Sequence, residues 1–227
     1  MTTPVDDLLA EIRAVLPRVT TPFTRADRAD RVYEGYLFAQ VVASAAECGG
    51  EVTFEDGRCN EVKDIVFRGA PGVLHSRGRF THAVLYLGQA RPVEVHLRVK
   101  VLGKAFESES DVLLIDRQAA TDSRNKGELP KPAGCLLTIE GKFYTVPLPR
   151  DEAVQYLGVR SQFPPSMASL FAANNCFAAK ANQCLSASKH PYEFGVMPDT
   201  RFQQYVRSQV RETLRRHVVK YDINHRM

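Results

Sequence analysis

The order of patterned segments predicts an α/β protein built on a mixed β-sheet flanked by helices. Three observations carry that reading. Residues 93–101 alternate apolar and polar side chains, which is strand periodicity. The runs at 110–116 and 135–146 are mostly apolar, as strands inside a sheet are. Helical periodicity precedes these strands and returns between the later ones, as expected when helices cover a sheet.

Taken in order, residues 5–16 space their apolar side chains at helical intervals. VTTPFTRADRAD then supplies turn and cap residues. A longer helix is expected from about 28 to 47, with Leu37, Phe38, Val41, Val42 and Ala45 on its apolar stripe. Gly49 and Gly50 end it. EVTFED is a short strand, DGRCN a turn, and 81–87 another strand. In the alternating segment Val93, Val95, Leu97, Val99 and Val101 face one way, while Glu94, His96, Arg98 and Lys100 face the other. The polar stretch 117–134 reads as a loop between the two apolar strands. Beyond 146 come a helix (149–163), a strand (167–175), a helix (176–188), a strand (192–198) and a terminal helix (199–221) capped by Asp199 or Thr200. No linker interrupts the chain, so one domain over 1–227 is expected, with a core at about 28–197.

The chain has 227 residues, 44% hydrophobic and 25% charged, ordinary values for a globular domain with a sizeable core. A formal net charge of +4 permits a nucleic-acid partner without demanding one. Five cysteines form no CxxC pair, and the histidines are scattered without zinc-ligand spacing. Reduced thiols in a cytoplasmic protein are therefore expected. Acids at the N-terminus argue against a signal peptide, and no apolar run approaches the ~18–20 residues of a membrane span.

Chemistry concentrates in CLLTIEGKFY. Glu140 and Lys142 stand two apart, hence on one face of a strand whose other side chains are mostly apolar. Burying a charge is costly unless it is paired or metal-bound. The neighbouring apolar run carries Asp111 at its start. If the two strands pair, Asp111 and Glu140 converge, and two such carboxylates need a cation. Oxygen ligands suit Mg²⁺ or Mn²⁺. Glu34, on the apolar side of its helix, is a third candidate; alone it reads as a helix-edge Glu that meets an Arg. Glu109 projects to the side of Asp111 and is a possible auxiliary.

Asp111 followed by the IEGK of Glu140 and Lys142 resembles the PD-(D/E)XK nuclease superfamily, as does the element order over roughly 28–197. The resemblance implies a restriction-endonuclease-like fold and a Mg²⁺- or Mn²⁺-dependent endonuclease acting in restriction, repair or anti-phage defence. Asp111 and Glu140 become metal ligands, Gly141 contributes its main-chain carbonyl, Lys142 is the catalytic lysine and Glu34 the helix carboxylate. Ser110 stands where the motif has Pro. The Gln-x-x-x-Tyr of exonuclease branches is absent, since Gln155 lacks the later Tyr.

DNA cleavage needs phosphate contacts beyond the site. Arg68, Arg77 and Arg79 lie in a glycine-containing loop, and Arg207, Arg211 and Arg215 repeat at helical spacing. Solvated helix faces and simple turns are the bland readings. Glu94 and His96 are expected on the polar face near the site, as auxiliary groups or as an internally satisfied Glu-His-Arg ladder. DNA is the favoured partner, with a second copy or a recognition subunit supplying specificity. The rivals are a catalytically inactive nucleic-acid-binding or scaffold subunit, a phosphoesterase acting on nucleotides, and an interaction domain with Glu140 and Lys142 in solvent.

Overall fold

The computed structural model describes residues 3–18 and 28–224; the turn and cap residues expected at 19–27 lie outside them. Seven strands form one sheet in sequence order: β1 (Glu51–Asp56), β2 (Thr81–Tyr86), β3 (Val93–Leu102), β4 (Glu107–Asp116), β5 (Cys135–Lys142), β6 (Ala168–Ala173) and β7 (Tyr192–Phe194). Neighbours from β1 to β5 are antiparallel, and β5, β6 and β7 are parallel. The helices are α1 (Pro4–Val15), α2 (Ala29–Glu47), α3 (Arg117–Lys126), α4 (Arg150–Arg160), α5 (Ala179–Ser186) and α6 (Arg201–Asn224). The chain therefore forms the expected mixed sheet flanked by helices.

One face of the sheet packs Val95, Leu97, Val112, Leu114, Leu137 and Ile139 against α1, α2 and α6. On the other face Leu113 and Ile115 meet Ala120 of α3, and Phe171 and Ala173 meet Ala153 of α4 and Ala181 of α5. Successive strand residues thus enter opposite cores, which is why β4 and β5 read as near-continuous apolar runs. Between sheet, α1 and α6, helix α2 is buried on almost every side, more widely than its sequence stripe. Local signals fix the ends. Thr3 and Asp6 form a capping box at α1. The Thr200 hydroxyl accepts from Gln203 N at 3.2 Å to start α6.

Four expectations need correction. The stretch 117–134 is not all loop. Asp116 Oδ1 accepts from Gln118 N and Ala119 N at 2.9 and 3.2 Å, and Gly127 at φ 65° terminates α3. Only Ala120 and Ser123 of that helix are buried, so it carries almost no hydrophobic periodicity. Second, β5 stops at Lys142 because Asn174 takes over the backbone of Tyr144, accepting from its N–H at 2.7 Å and donating to its carbonyl at 3.1 Å. Third, β7 has three residues, and the chain turns at Gly195 with φ 71°.

The fourth correction concerns β3. Val93, Val95 and Leu97 enter the core beneath α2, but Val99 and Val101 enter the opposite core with Leu113 and Ile115. Arg98 sits between them at φ 54°, a left-handed conformation that breaks the pleat and reverses the faces of the residues after it. Gly72 pairs with the strand at this point, its N–H bonding Arg98 O and its carbonyl accepting from Lys100 N, both at 2.9 Å. The reversal lets Arg98 reach across to α2.

Candidate active site

β4 and β5 pair from Ile115–Cys135 to Val112–Ile139, and immediately beyond that last pair come Asp111 and Glu140. The Gly141 N–H donates to Asp111 Oδ2 at 2.8 Å, tying the two strand ends together. Gly141 lies directly under α2: a Cβ there would sit 2.6 Å from Leu37 Cδ1 and 3.5 Å from Tyr33 Cδ1. That close approach brings Glu34, one helical turn before Leu37, to the same place. Glu34, Glu109, Asp111, Glu140, Gly141 and Lys142 all line one cleft of about 750 Å³. Six acids and three bases line it, so it is net acidic when all are ionised.

Two cations hold the acids apart. Arg98 Nε lies 3.4 Å from Glu34 Oε2 and 3.2 Å from Glu109 Oε1. Lys142 Nζ lies 2.9 Å from Glu140 Oε1 and 3.1 Å from Glu152 Oε2. Tyr144 OH donates to the other oxygen of Glu152. Glu140 and Lys142 keep 19% and 21% of their side-chain surface exposed. They therefore reach solvent from the cleft without standing free in it, contrary to a surface ion pair with no site.

The compensation is incomplete. Burial, then Glu140 and Glu34, push the Asp111 carboxyl well above the carboxylate range, against the Gly141 N–H and Lys142. Burial raises Glu34 to about 7; Arg98 opposes this, and Glu109, Asp30 and Glu140 add to it. Glu140 is likewise raised, by burial first, with Lys142 opposing. Burial disfavours the Lys142 ammonium, yet Glu140, Asp111 and Glu152 outweigh that and raise its pKa. Carboxyls that bind protons this readily are short of positive charge. By donor type, three carboxylates and a main-chain carbonyl, all oxygen, suit a hard divalent cation, but the carboxylate oxygens of Glu34, Asp111 and Glu140 do not all lie within 4.8 Å of one another, so binding one ion would require them to close in.

The remaining predicted residues lie elsewhere. Glu94 and His96 are not beside the cleft. They point to the face of the sheet away from α2, where α3 covers them, and are 0% and 2% exposed. Arg124 of α3 grips both Glu94 oxygens, and His96 Nε2 lies 2.8 Å from Glu94 Oε2. This is the internally satisfied Glu-His-Arg arrangement, with the Arg supplied by the unexpected helix. None of the six candidate DNA-contacting arginines lines the cleft. Arg207 binds Gln40, Glu47 and Glu11, and Arg211 binds Glu47, knitting α6 to α1 and α2. Arg68 stacks on Phe80 at 3.2 Å from the ring centroid and bonds Val73 O. Arg215 borders a separate groove beside α6, and Arg77 and Arg79 are exposed in the loop before β2.

No family model and no curated protein matches the chain. A solved structure, the crystal structure of the protein of unknown function AF1548, aligns over 50% of this chain and 55% of its own at 16% identity and a TM-score of 0.34. That likeness is too slight to carry an argument about fold or function.

Arg98, Tyr144 and Glu152, with Asp30 and Arg28 at the start of α2, are charged or polar cleft residues that sequence reasoning missed. Glu152 had a signal, an acid in the first turn of the helix after the catalytic-lysine candidate. Arg98 had none, because its role depends on a backbone conformation that arginine rarely adopts.

Proposed function

We propose that this chain is a metal-dependent phosphodiester hydrolase, an endonuclease acting on nucleic acid with DNA favoured. One observation supports it above the rest: Asp111 at a strand end, bonded to the centre of Glu140-Gly141-Lys142 on the adjacent strand, in a net acidic cleft that α2 completes with Glu34. Asp111, Glu140, Glu34 and the Gly141 carbonyl would hold Mg²⁺ or Mn²⁺. Such an ion polarises a phosphodiester oxygen and makes a bound water a better nucleophile. Lys142, kept protonated by Glu140 and Glu152, meets the negative charge that builds at phosphorus. Arg98 orients Glu34 and Glu109. A role in restriction, repair or anti-phage defence belongs to this reading, with a second copy or a recognition subunit supplying the target preference.

The second reading, an inactive nucleic-acid-binding or scaffold subunit, draws on the pairing of Arg98 with Glu34 and of Lys142 with Glu140. Incubation with plasmid and single-stranded DNA in Mg²⁺, Mn²⁺ or EDTA separates the two. The hydrolase reading expects cleavage that EDTA abolishes and that Lys142→Met lowers by about 10²–10³-fold. Cleavage in EDTA, or equal cleavage by Lys142→Met, overturns it. Binding without cleavage in either metal supports the scaffold.

A further inference from the structure

On the sheet face opposite α2, His82 of β2 is 1% exposed, yet neither of its ring nitrogens has a hydrogen-bond partner. A buried imidazole with two orphaned nitrogens is costly unless something unseen satisfies it. For Nε2 its surroundings say what that is. His82 Nε2 lies 3.5 Å from Glu55 Oε2 and 3.7 Å from Glu94 Oε2. These distances are long for hydrogen bonds. The separation from Glu55 is close to the edge of a tetrahedron of ligands, about 3.4 Å for metal–ligand bonds of roughly 2.1 Å. Glu55 Oε2 is itself buried, and makes no well-formed hydrogen bond beyond that 3.5 Å approach of His82. The thiol of Cys59 completes a triangle: the ligand atoms of Glu55, Cys59 and His82 all lie within 4.8 Å of one another.

The backbone and the neighbouring charges serve the same arrangement. Cys59 sits at φ 63° in the turn after β1, a conformation unfavourable for its side chain, with its N–H on Asp56 O. Arg117 NH2 holds the other oxygen of Glu55 at 2.7 Å, fixing the carboxylate with Oε2 toward His82. Arg124 and His96 occupy Glu94, so that residue closes the inner wall. His96 stacks on His82 with ring centroids 4.5 Å apart. Cys59 is exposed, which leaves a route in from solvent.

The geometry points to a second metal site, distinct from the acidic cleft, in which Cys59, His82 and Glu55 bind a transition-metal ion of the Zn²⁺ class. Mixed sulfur, nitrogen and oxygen donors select such an ion over Mg²⁺, the reverse of the all-oxygen cleft. Three protein ligands leave one position open, toward solvent on the side of Cys59. The ion ties the turn after β1 to the neighbouring strand β2, a link that no continuous run of sequence encodes.

The test is Zn²⁺ titration of the EDTA-stripped, buffer-exchanged full chain, with Co²⁺ as a spectroscopic probe. One equivalent is expected to bind at the second site, with thiolate-to-cobalt charge-transfer absorption and a rise in melting temperature. Cys59→Ser, in an exposed turn, is expected to remove the charge-transfer band and weaken Zn²⁺ by at least about tenfold. His82→Gln should do likewise, and Asp111→Asn, which alters only the cleft, should keep the band. Absence of the band in a folded wild type, or its persistence in Cys59→Ser, overturns the proposal. So does a band lost in Asp111→Asn and kept in His82→Gln.

Discussion

The two faces of the sheet bury the same residue types and treat them in opposite ways. On the α3 side, burial alone would raise Glu94, but His96 and a two-pronged Arg124 bring it far below the usual carboxylate range. In the cleft, burial raises Glu34 to about 7, because its single arginine is shared with Glu109 and other acids crowd around it. The difference is not depth, for both residues are nearly inaccessible. It is the number of cations per acid. A matched acid is part of the scaffold, whereas an outnumbered cation leaves acids that gain by binding something more.

The contrast breaks most severely at Arg124. Arg124→Met leaves Glu94 buried without its partner and should cost about 3–5 kcal/mol in urea unfolding. Adding Glu94→Gln should recover part of that loss; a double variant worse than the single would undo the account.

Next comes Glu34, where loss of charge should help. Its folded pKa lies near 7 against an ordinary value of 4.5, so the folded state holds the proton more tightly. Unfolding then releases a proton between about pH 4.5 and 7, and stability from this group falls as pH rises through that window. Without metal, Glu34→Gln should match wild type near pH 5 and exceed its stability near pH 8, by up to about 3 kcal/mol. Mg²⁺ should shrink the gap by stabilising wild type more than the variant. Equal destabilisation at both pH values would show that Glu34 is a structural acid like Glu94.

The smallest effects belong to the surface arginines. Arg211→Ala should change stability by no more than about 1 kcal/mol and leave DNA affinity alone, since its partner is Glu47. Arg77→Ala and Arg79→Ala, in the exposed loop, should leave stability unchanged and each lower the salt dependence of DNA binding by about one unit of slope. A fluorescence-anisotropy titration at several salt concentrations reads both.

What the sequence made legible follows from which forces act locally. Alternation and apolar runs located the strands, and the i, i+2 spacing put Glu140 beside Lys142, because backbone geometry alone sets that. α3 stayed hidden because packing asks only Ala120 and Ser123 of it; Asp116 and Gly127 were its sole markers. Arg207 looked like a free basic stripe because its partners Glu11 and Glu47 are 196 and 160 residues away along the chain. Glu94 and His96 were placed near the site because alternation tells which face a residue takes, not which helix lies over it. The reversal at Arg98 had no sequence signal, and it is what turns an arginine from one face of β3 toward the helix on the other.

The bare backbone at Gly141 has a further consequence. The gap between α2 and β5 is as narrow as it is because nothing projects from that position toward Leu37 and Tyr33. A single methyl group there would first have to displace the tip of the Leu37 side chain, the residue one turn beyond Glu34 on the same helix. The absence of a side chain at this position thus leaves Leu37 its place against β5, and alanine there would disturb the packing nearest to Glu34.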